Sequence, residues 1–451
     1  MKIIIVGAGK IGTSIVHHVS DEEHEVVVID NKSSVIEKII NGYDVMGITG
    51  SGVRCDILEA AGVDRADLFI AVTSSDETNM LACAFAKKMG AKKTIARVRD
   101  VEYSKQLDLL KSTLDITMAI NPELEAAKEI SRIINFPEAL KIETFAQETV
   151  ELIELFVSKD SVLVNKSLAE INRSFKVNIL LCAVTRGEEV IIPKGNFVIE
   201  PNDKIHICSR RVNTKSFINK LGFSSGKMKE VMIIGGGRIS YYLALELVKS
   251  KYHVKIVEKD MNKCDELCQI LPGVSVICGD GTSQTLLYEE GLDQSDAVIC
   301  LTGSDEQNII ISMFANKHNV KKVVTKVNKI SFGELLDSLS IASVFSCQEI
   351  VASQIVSYIR SEANDRGNNV KKLYKLVNNK LEALEFCVSS TSKVINIPLK
   401  DLKIKRDVLI AVIIRDGEQI TPNGNTVIYP NDTLIVVTKA LLLNDLDDIL
   451  E

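Results

Sequence analysis

Residues 3–12 read Ile3-Ile-Ile-Val6-Gly7-Ala8-Gly9-Lys10-Ile11-Gly12. The opening apolar run, without polar alternation, is the pattern of a strand buried on both faces. Three glycines at G-x-G-x-x-G spacing follow it at the mouth of a helical stretch. Gly7 permits a tight turn, Gly9 lets the backbone approach a diphosphate, and Gly12 allows helix and strand to pack closely. Backbone N–H groups at the start of the helix, aided by its dipole, then face phosphate. Asp30 stands 18 residues beyond Gly12, at the end of the next apolar run. A carboxylate there accepts from ribose hydroxyls and repels a 2′-phosphate, which predicts NAD over NADP. The plainer alternative is a glycine turn that serves topology alone.

The same text returns in the second half of the 451-residue chain. Gly235-Gly236-Gly237-Arg238-Ile239-Ser240 repeats the glycine loop 228 residues later, with Glu258 for Asp30. Ala71-Val-Thr73-Ser74-Ser-Asp76-Glu-Thr-Asn79 returns 229 residues later as Cys300-Leu-Thr302-Gly-Ser-Asp305-Glu-Gln-Asn308. Arg186, Pro193, Pro201 and Asp203 find Arg415, Pro422, Pro430 and Asp432 at that same shift. Solenoid repeats are far shorter, so this is a duplicated two-domain unit.

Apolar runs alternate with helical stretches over residues 1–123 and again over 228–350, which predicts parallel sheets covered by helices on both faces. Expected strands are Ile3–Val6, Val26–Ile29, Asp44–Ile48, Leu68–Val72 and Thr94–Val98, then Val231–Ile234, Val254–Val257, Val274–Ile277, Ala297–Leu301 and Lys322–Val327. Helical connectors at Pro122–Ile134 and Gln348–Arg360 lead into smaller α+β modules at 138–222 and 371–451, each with three β-like runs and a closing helix. Gly222–Gly226 reads as the linker between halves and Asn364–Asn369 as a second flexible boundary.

Hydrophobic residues make up 46% and charged residues 25% of the chain, an ordinary globular balance. A formal charge of −6 argues against non-specific nucleic-acid binding. No apolar stretch is long enough to span a bilayer, and Met1 leads straight into a strand, leaving no room for a signal peptide. Ten scattered cysteines read as reduced thiols of a cytosolic protein. Cys264 and Cys268 share one helix face, which suits helix packing or, alternatively, half of a metal site.

Thr73 and Thr302 fall at strand ends over the expected nucleotide, whereas Asp76 and Asn79 read either as part of that pocket or as the cap of the next helix. Loops Thr49-Gly-Ser51-Gly52 and Cys278-Gly-Asp280-Gly-Thr282 extend the two pockets. Arg97 and its equivalent Lys326 end the fifth strands, placed to meet phosphate charge. Ser240, in place of the third glycine, predicts looser packing of the second loop.

Gly7-x-Gly-x-x-Gly12, Asp30, Thr73–Asn79 and Ala96-Arg97-Val-Arg99 together resemble the TrkA family. Its members are the peripheral NAD-binding subunits of bacterial Trk potassium-uptake systems, built from two RCK (regulator of potassium conductance) units. The likeness covers essentially the whole chain. It implies two Rossmann-like domains, each followed by a small RCK C-terminal module. It further implies a homo-oligomer, a tetrameric ring, on the cytoplasmic face of the membrane beneath a translocating subunit of the TrkH or TrkG type. The ligand implied is NAD(H), with ATP or ADP sharing the same adenosine–pyrophosphate portion. Carried over by motif, the first site comprises Gly7, Ala8, Gly9, Lys10, Ile11, Gly12, Asp30, Thr73, Ser74 and Arg97. The second comprises Gly235, Gly236, Gly237, Arg238, Ile239, Glu258, Asp280 and Thr302. Glu123 resembles a metal- or phosphate-contacting acid of related regulators, or is simply a first-turn helix acid. Ser51 and Ser240 depart from the family pattern.

A dehydrogenase is the rival class, on fold analogy alone. None of the six histidines belongs to a catalytic constellation, and the modules are small for substrate domains. The expectation is a regulatory protein without catalytic residues; a scaffold with fossil sites is a third class, disfavoured by the intact first loop.

Overall fold

The computed structural model describes every residue except 21–23, 136–138, 146–149, 178, 188, 222–227, 329–342, 365–369, 377–380, 440–442 and 444. Residues 222–226, read above as the linker, lie outside the described residues, as does all of the 364–369 boundary except Asn364. In chain order the strands are β1 (Lys2–Val6), β2 (Glu25–Asp30), β3 (Met46–Thr49), β4 (Leu68–Ala71), β5 (Lys93–Arg97) and β6 (Met118–Ile120). Next come β7 (Ala139–Phe145), β8 (Val150–Phe156), β9 (Leu180–Arg186), β10 (Glu189–Ile191) and β11 (Lys204–Arg210). The second half holds β12 (Glu230–Ile234), β13 (His253–Glu258), β14 (Val274–Cys278), β15 (Ala297–Cys300), β16 (Lys322–Lys326) and β17 (Ser343–Phe345). It ends with β18 (Val370–Leu376), β19 (Leu381–Cys387), β20 (Val408–Arg415), β21 (Glu418–Ile420) and β22 (Thr433–Thr438).

The chain forms two compact units. One takes Met1–Ser131 and Met228–Val356; the other takes Arg132–Lys227 and Ser357–Glu451.

The first unit carries two parallel sheets, ordered β3-β2-β1-β4-β5-β6 and β14-β13-β12-β15-β16-β17. Ile3, Ile4 and Ile5 of β1 and Leu68, Phe69 and Ile70 of β4 are fully buried, as expected for central strands covered on both faces. In each sheet the strand order reverses beside the strand that precedes the glycine loop, and ligand crevices open at such a switch point. The third strand of the first sheet begins at Met46, two residues after the sequence expectation, because Tyr43 and Asp44 end the preceding helix and turn. Each sheet also has a short sixth strand, β6 or β17, that the sequence reading lacked. With three residues apiece they are too brief to leave a periodic signal.

The two domains of this unit grip each other through equivalent elements. Ser14 Oγ, on helix Lys10–Val19, donates to Glu349 of helix Cys347–Asn364 at 2.8 Å. Tyr242, at the place of Ser14 in the second copy, accepts from Asn121 Nδ2 at 3.0 Å. Gln354 Nε2 donates to Glu125 at 2.7 Å.

The second unit holds two antiparallel sheets, ordered β10-β9-β11-β8-β7 and β18-β19-β22-β20-β21. Five strands stand where three were expected, since β7, β10, β18 and β21 lie next to turns or in mixed-polarity segments. The faces of the two sheets share a core that joins Val150, Leu152, Cys182 and Cys208 to Leu381, Ala383, Ile435 and Val437. Arg186 forks onto Asp203 at 2.8 and 2.9 Å, and Arg415 repeats the fork on Asp432 at 2.9 and 2.8 Å. Each aspartate is buried and also accepts a backbone N–H of its turn, from Glu200 or Tyr429. The repeated Arg and Asp are therefore turn anchors. His206 is buried in β11 with Nε2 3.1 Å from Thr185 Oγ1.

Candidate functional site

The first glycine loop is shaped by close approach. Gly7 has φ +98°, and a Cβ there would lie 2.9 Å from the backbone nitrogen of Thr73 at the end of β4. A Cβ on Gly12 would lie 2.0 Å from the Gly7 carbonyl oxygen, so Gly12 sets how closely helix Lys10–Val19 approaches the sheet. Gly9 is different. Nothing lies within 4 Å of its Cβ position, which leaves room for a ligand at the loop. Gly9 also offers its helix no side-chain cap, whereas Ser75 caps helix Asp76–Met89 by accepting from Thr78 N at 3.1 Å. An uncapped helix start beside an open space is a receptor for phosphate oxygens.

Asp30, at the end of β2, accepts from Ala8 N at 2.8 Å and Lys32 N at 3.0 Å. A carboxylate offers about four lone-pair directions, so it holds the loop and still has capacity for ribose hydroxyls. Around it a cleft of about 640 Å³ is lined by Gly7 to Ile11, Asp30, Ser51, Thr73, Ser74 and Arg97. That volume suits a nucleotide-sized ligand. Gly12 stands behind the wall. Thr73 Oγ1 donates to Asn79 Oδ1 at 2.7 Å, and Asn79 Nδ2 donates to Arg97 O at 2.9 Å. Asp76 accepts from the backbone of Arg99 and Asp100, both at 2.7 Å. Asp76 and Asn79 thus tie the ends of β4 and β5 together, and Ser75 is the cap.

The cleft continues onto the second half, where Ile239, Lys326, Asn328, Cys347 and Gln348 line it beside Glu123. Burial, reinforced by the Arg99 charge, lowers the pKa of Arg97, which Glu123 and Asp76 partly restore. Burial likewise lowers the pKa of Lys326, with Lys10 adding to the effect, and burial pushes the Cys347 thiol up to about 11. Two cations held at a desolvation cost, beside Lys10 and a free helix start, favour an anion of several charges.

The second loop is drawn differently. Its neighbouring cavity, about 200 Å³, is lined by Gly237, Arg238, Ile239, Ser240, Leu301, Lys326 and Glu123. Gly235, Gly236, Glu258, Asp280 and Thr302 do not line it. Asp280 accepts from Thr282 N at 2.9 Å and Thr282 Oγ1 at 2.8 Å, which lowers its pKa. Thr302 bonds Asn308 as Thr73 bonds Asn79. Ser240 is fully buried and its hydroxyl donates to the Gly235 carbonyl. The expected loosening is replaced by a hydrogen bond across the contact.

Residues 3–122 and 231–347 match the TrkA-N domain, and 152–222 and 383–450 match the TrkA-C domain. The chain belongs to the TrkA family. A Trk system potassium uptake protein TrkA homolog of Archaeoglobus fulgidus is 31% identical over 97% of both chains. Two solved structures share the fold at lower identity. The GsuK RCK domain matches with TM-score 0.62 at 16% identity, over 97% of this chain and 92% of its own. The GsuK channel bound to NAD matches with TM-score 0.64 at 15% identity, over 97% and 77%. The two parallel-sheet domains are thus Rossmann-like TrkA-N domains, each followed by its antiparallel TrkA-C module.

Of the residues expected at the first site, Gly7 to Ile11, Asp30, Thr73, Ser74 and Arg97 line one cleft, and Lys326, expected only as the second-half equivalent of Arg97, lines it too. The sequence reading missed Asn328, Cys347 and Gln348, which reach the first cleft from the other half. Only the duplication hinted that paired domains would complete one another. Among the described residues no group of three or more His, Cys, Asp or Glu is arranged to hold a metal ion. No described helix is long and apolar enough to cross a membrane.

Proposed function

We propose that this TrkA-family chain is the nucleotide-sensing regulatory subunit of a membrane potassium-uptake system. The observation that carries this reading is the first cleft: an uncapped glycine-loop helix start, a carboxylate at the ribose position and two half-buried cations, closed by residues from both halves. Gly7, Ala8, Gly9, Lys10 and Ile11 receive the diphosphate, with Gly12 packing behind them. Asp30 holds the adenosine ribose, Thr73 and Ser74 border the ligand, and Arg97 with Lys326 answers its charge. NAD(H) is the ligand in this reading, with ATP or ADP competing for the same adenosine–diphosphate contacts. Because second-half residues line the cleft, occupancy biases how the two domains meet, and a ligand shifts such an equilibrium through its differential affinity for the two states. The subunit acts on the cytoplasmic face as a ring-forming homotetramer, docked on a translocating partner of the TrkH or TrkG type. No catalytic step is assigned.

At the second loop Gly235, Gly236, Gly237, Arg238, Ile239, Glu258, Asp280 and Thr302 form a weaker nucleotide site, because the cavity beside that loop is much the smaller, about 200 Å³. Isothermal titration of the full chain with NAD, NADH, ATP and ADP, paired with rubidium uptake in a strain lacking the gene, tests the reading. Saturable binding and impaired uptake at limiting potassium are expected; normal uptake in the deletion strain would sink it.

A further inference from the structure

Three of the ten cysteines gather at one place, beside Glu258. Cys264 and Cys268 lie one turn apart on helix Met261–Ile270. Cys278 ends β14 as the lateral partner of Glu258 in β13. The thiol of Cys264 donates to the Glu258 carbonyl oxygen at 3.3 Å, which places it beside Cys278, the neighbour of Glu258 across the sheet. Gly279 N donates to the same oxygen at 2.8 Å. Cys264 is buried while Cys268 and Cys278 are exposed. The equivalent positions of the first half hold Ile36, Ile40 and Thr49, so the cluster belongs to the second copy alone.

We propose that Cys264 and Cys278 are a reversible disulfide site that responds to peroxide. Cys278, open to solvent, attacks the peroxide as its thiolate; one oxygen passes to sulfur and the other leaves as water after protonation. Cys264 then attacks the resulting sulfenic sulfur, its proton and the sulfenic oxygen leaving as a second water. The net change is two thiols and one hydrogen peroxide to one disulfide and two waters. Burial pushes the Cys264 thiol up to about 12, which suits it to the resolving role rather than the attacking one. Cys264, bonded to the backbone of the residue that pairs with Cys278, needs little movement to reach disulfide spacing. The bond ties helix Met261–Ile270 to the end of β14 directly under Glu258. That carboxylate holds Gly236 N at 2.6 Å, so the constraint reaches the second glycine loop and leaves the first untouched.

Peptide mapping of the full-length protein tests this after brief exposure to stoichiometric hydrogen peroxide and blocking of free thiols. Cleavage before aspartate puts Cys264 on peptide 260–264 and both Cys268 and Cys278 on peptide 265–279. The expected product joins those two peptides with the loss of two hydrogens, is undone by dithiothreitol, and is absent in Cys278→Ser. A bond closed within peptide 265–279 overturns the assignment, as does oxidation of Cys278 beyond the sulfenic state without cross-linking. Since Cys278 is exposed, Cys278→Ser leaves the fold intact; a Cys278→Ser protein that loses two thiols at the same dose also rules the site out.

Discussion

The two glycine loops share ancestry, strand position and nearly every backbone contact, yet they solve one packing problem in opposite ways. In the first, Ala8 carries a methyl and Asp30 a short acid; in the second, Gly236 has no side chain and Glu258 is one methylene longer. Both acids make the same pair of bonds, to Ala8 N and Lys32 N or to Gly236 N and Asp260 N. A Cβ on Gly236 would meet Glu258 Cβ at 3.0 Å and Leu267 Cδ1 at 2.7 Å. The added methylene thus fills space that the missing methyl vacates. The glycine contact shows the same exchange: Gly12 permits close approach by having nothing, while Ser240 bridges by hydrogen bonding. What differs most is the space at the loop, an open cleft of about 640 Å³ in one case and a cavity of about 200 Å³ in the other, with Glu123 lining both.

Asp30→Ala should have the largest effect. It removes two charge-assisted bonds to the loop backbone and the proposed ribose contact, each worth roughly 1.5–3 kcal/mol. NAD affinity of the full chain should fall about 10- to 100-fold or more in calorimetry. Glu258→Ala should change that affinity far less. Equal losses for the two variants would erase the distinction between the loops. The titration belongs on the intact chain, because fragments 1–222 and 228–451 would each lack part of the first cleft's lining.

Gly12→Ser comes next. It places a side chain 2.0 Å from the Gly7 carbonyl, and overpacking of this kind costs about 1–3 kcal/mol. Ser240→Gly removes one hydrogen bond and should cost less, about 1 kcal/mol. Urea unfolding measures both. A Gly12→Ser protein as stable as its parent would mean that the helix glides freely and that the loops are interchangeable.

Much of this was legible in the sequence because it rests on glycine. Gly7, Gly9 and Gly12 state the turn, the open approach and the close contact, and the strand run before them states the sheet. Asp30 was legible by spacing. Its second task, holding Ala8 N and Lys32 N, was not, since backbone donors are the same for every residue type. Cys347 and Gln348 were invisible for another reason: they reach the first cleft only through the pairing of the two domains, which no local pattern encodes. The short strands β6 and β17, and the edge strands β10 and β21, carry too few residues to show a period. Asp76 and Asn79 stayed open between pocket and cap because a residue that braces a site and one that touches its ligand occur in the same strand-end run.

The proposed exchange of volume between loop and acid can be read by a double-mutant cycle. Gly236→Ala alone should destabilise by about 1 kcal/mol, and Gly236→Ala with Glu258→Asp should recover most of it, since that pair recreates the first loop. Residues in contact couple by about 0.5–3 kcal/mol, whereas independent sites add. Strict additivity in thermal or urea unfolding would show that the correspondence between Ala8–Asp30 and Gly236–Glu258 is coincidental.

The smallest effect separates Arg97 from Lys326, the two half-buried cations of the cleft. Burial lowers both, but a guanidinium stays charged across the accessible range and an ammonium does not. Lys326 has a folded pKa below its ordinary value of 10.5, so between those two values the unfolded chain binds more protons than the folded one. Stability without ligand therefore gains from this residue as pH rises through that window. The cost of holding the charge is present in full below it and gone above it. Lys326→Met should remove that part of the slope, and Arg97→Met should not. A polyanion in the cleft favours charged Lys326, so binding within the window should take up a fraction of a proton, seen as calorimetric heats that vary with the ionisation enthalpy of the buffer. In Lys326→Arg that variation should vanish while binding persists. If uptake is unchanged in Lys326→Arg, the proton goes elsewhere and the second half's lysine does not meet the ligand of the first.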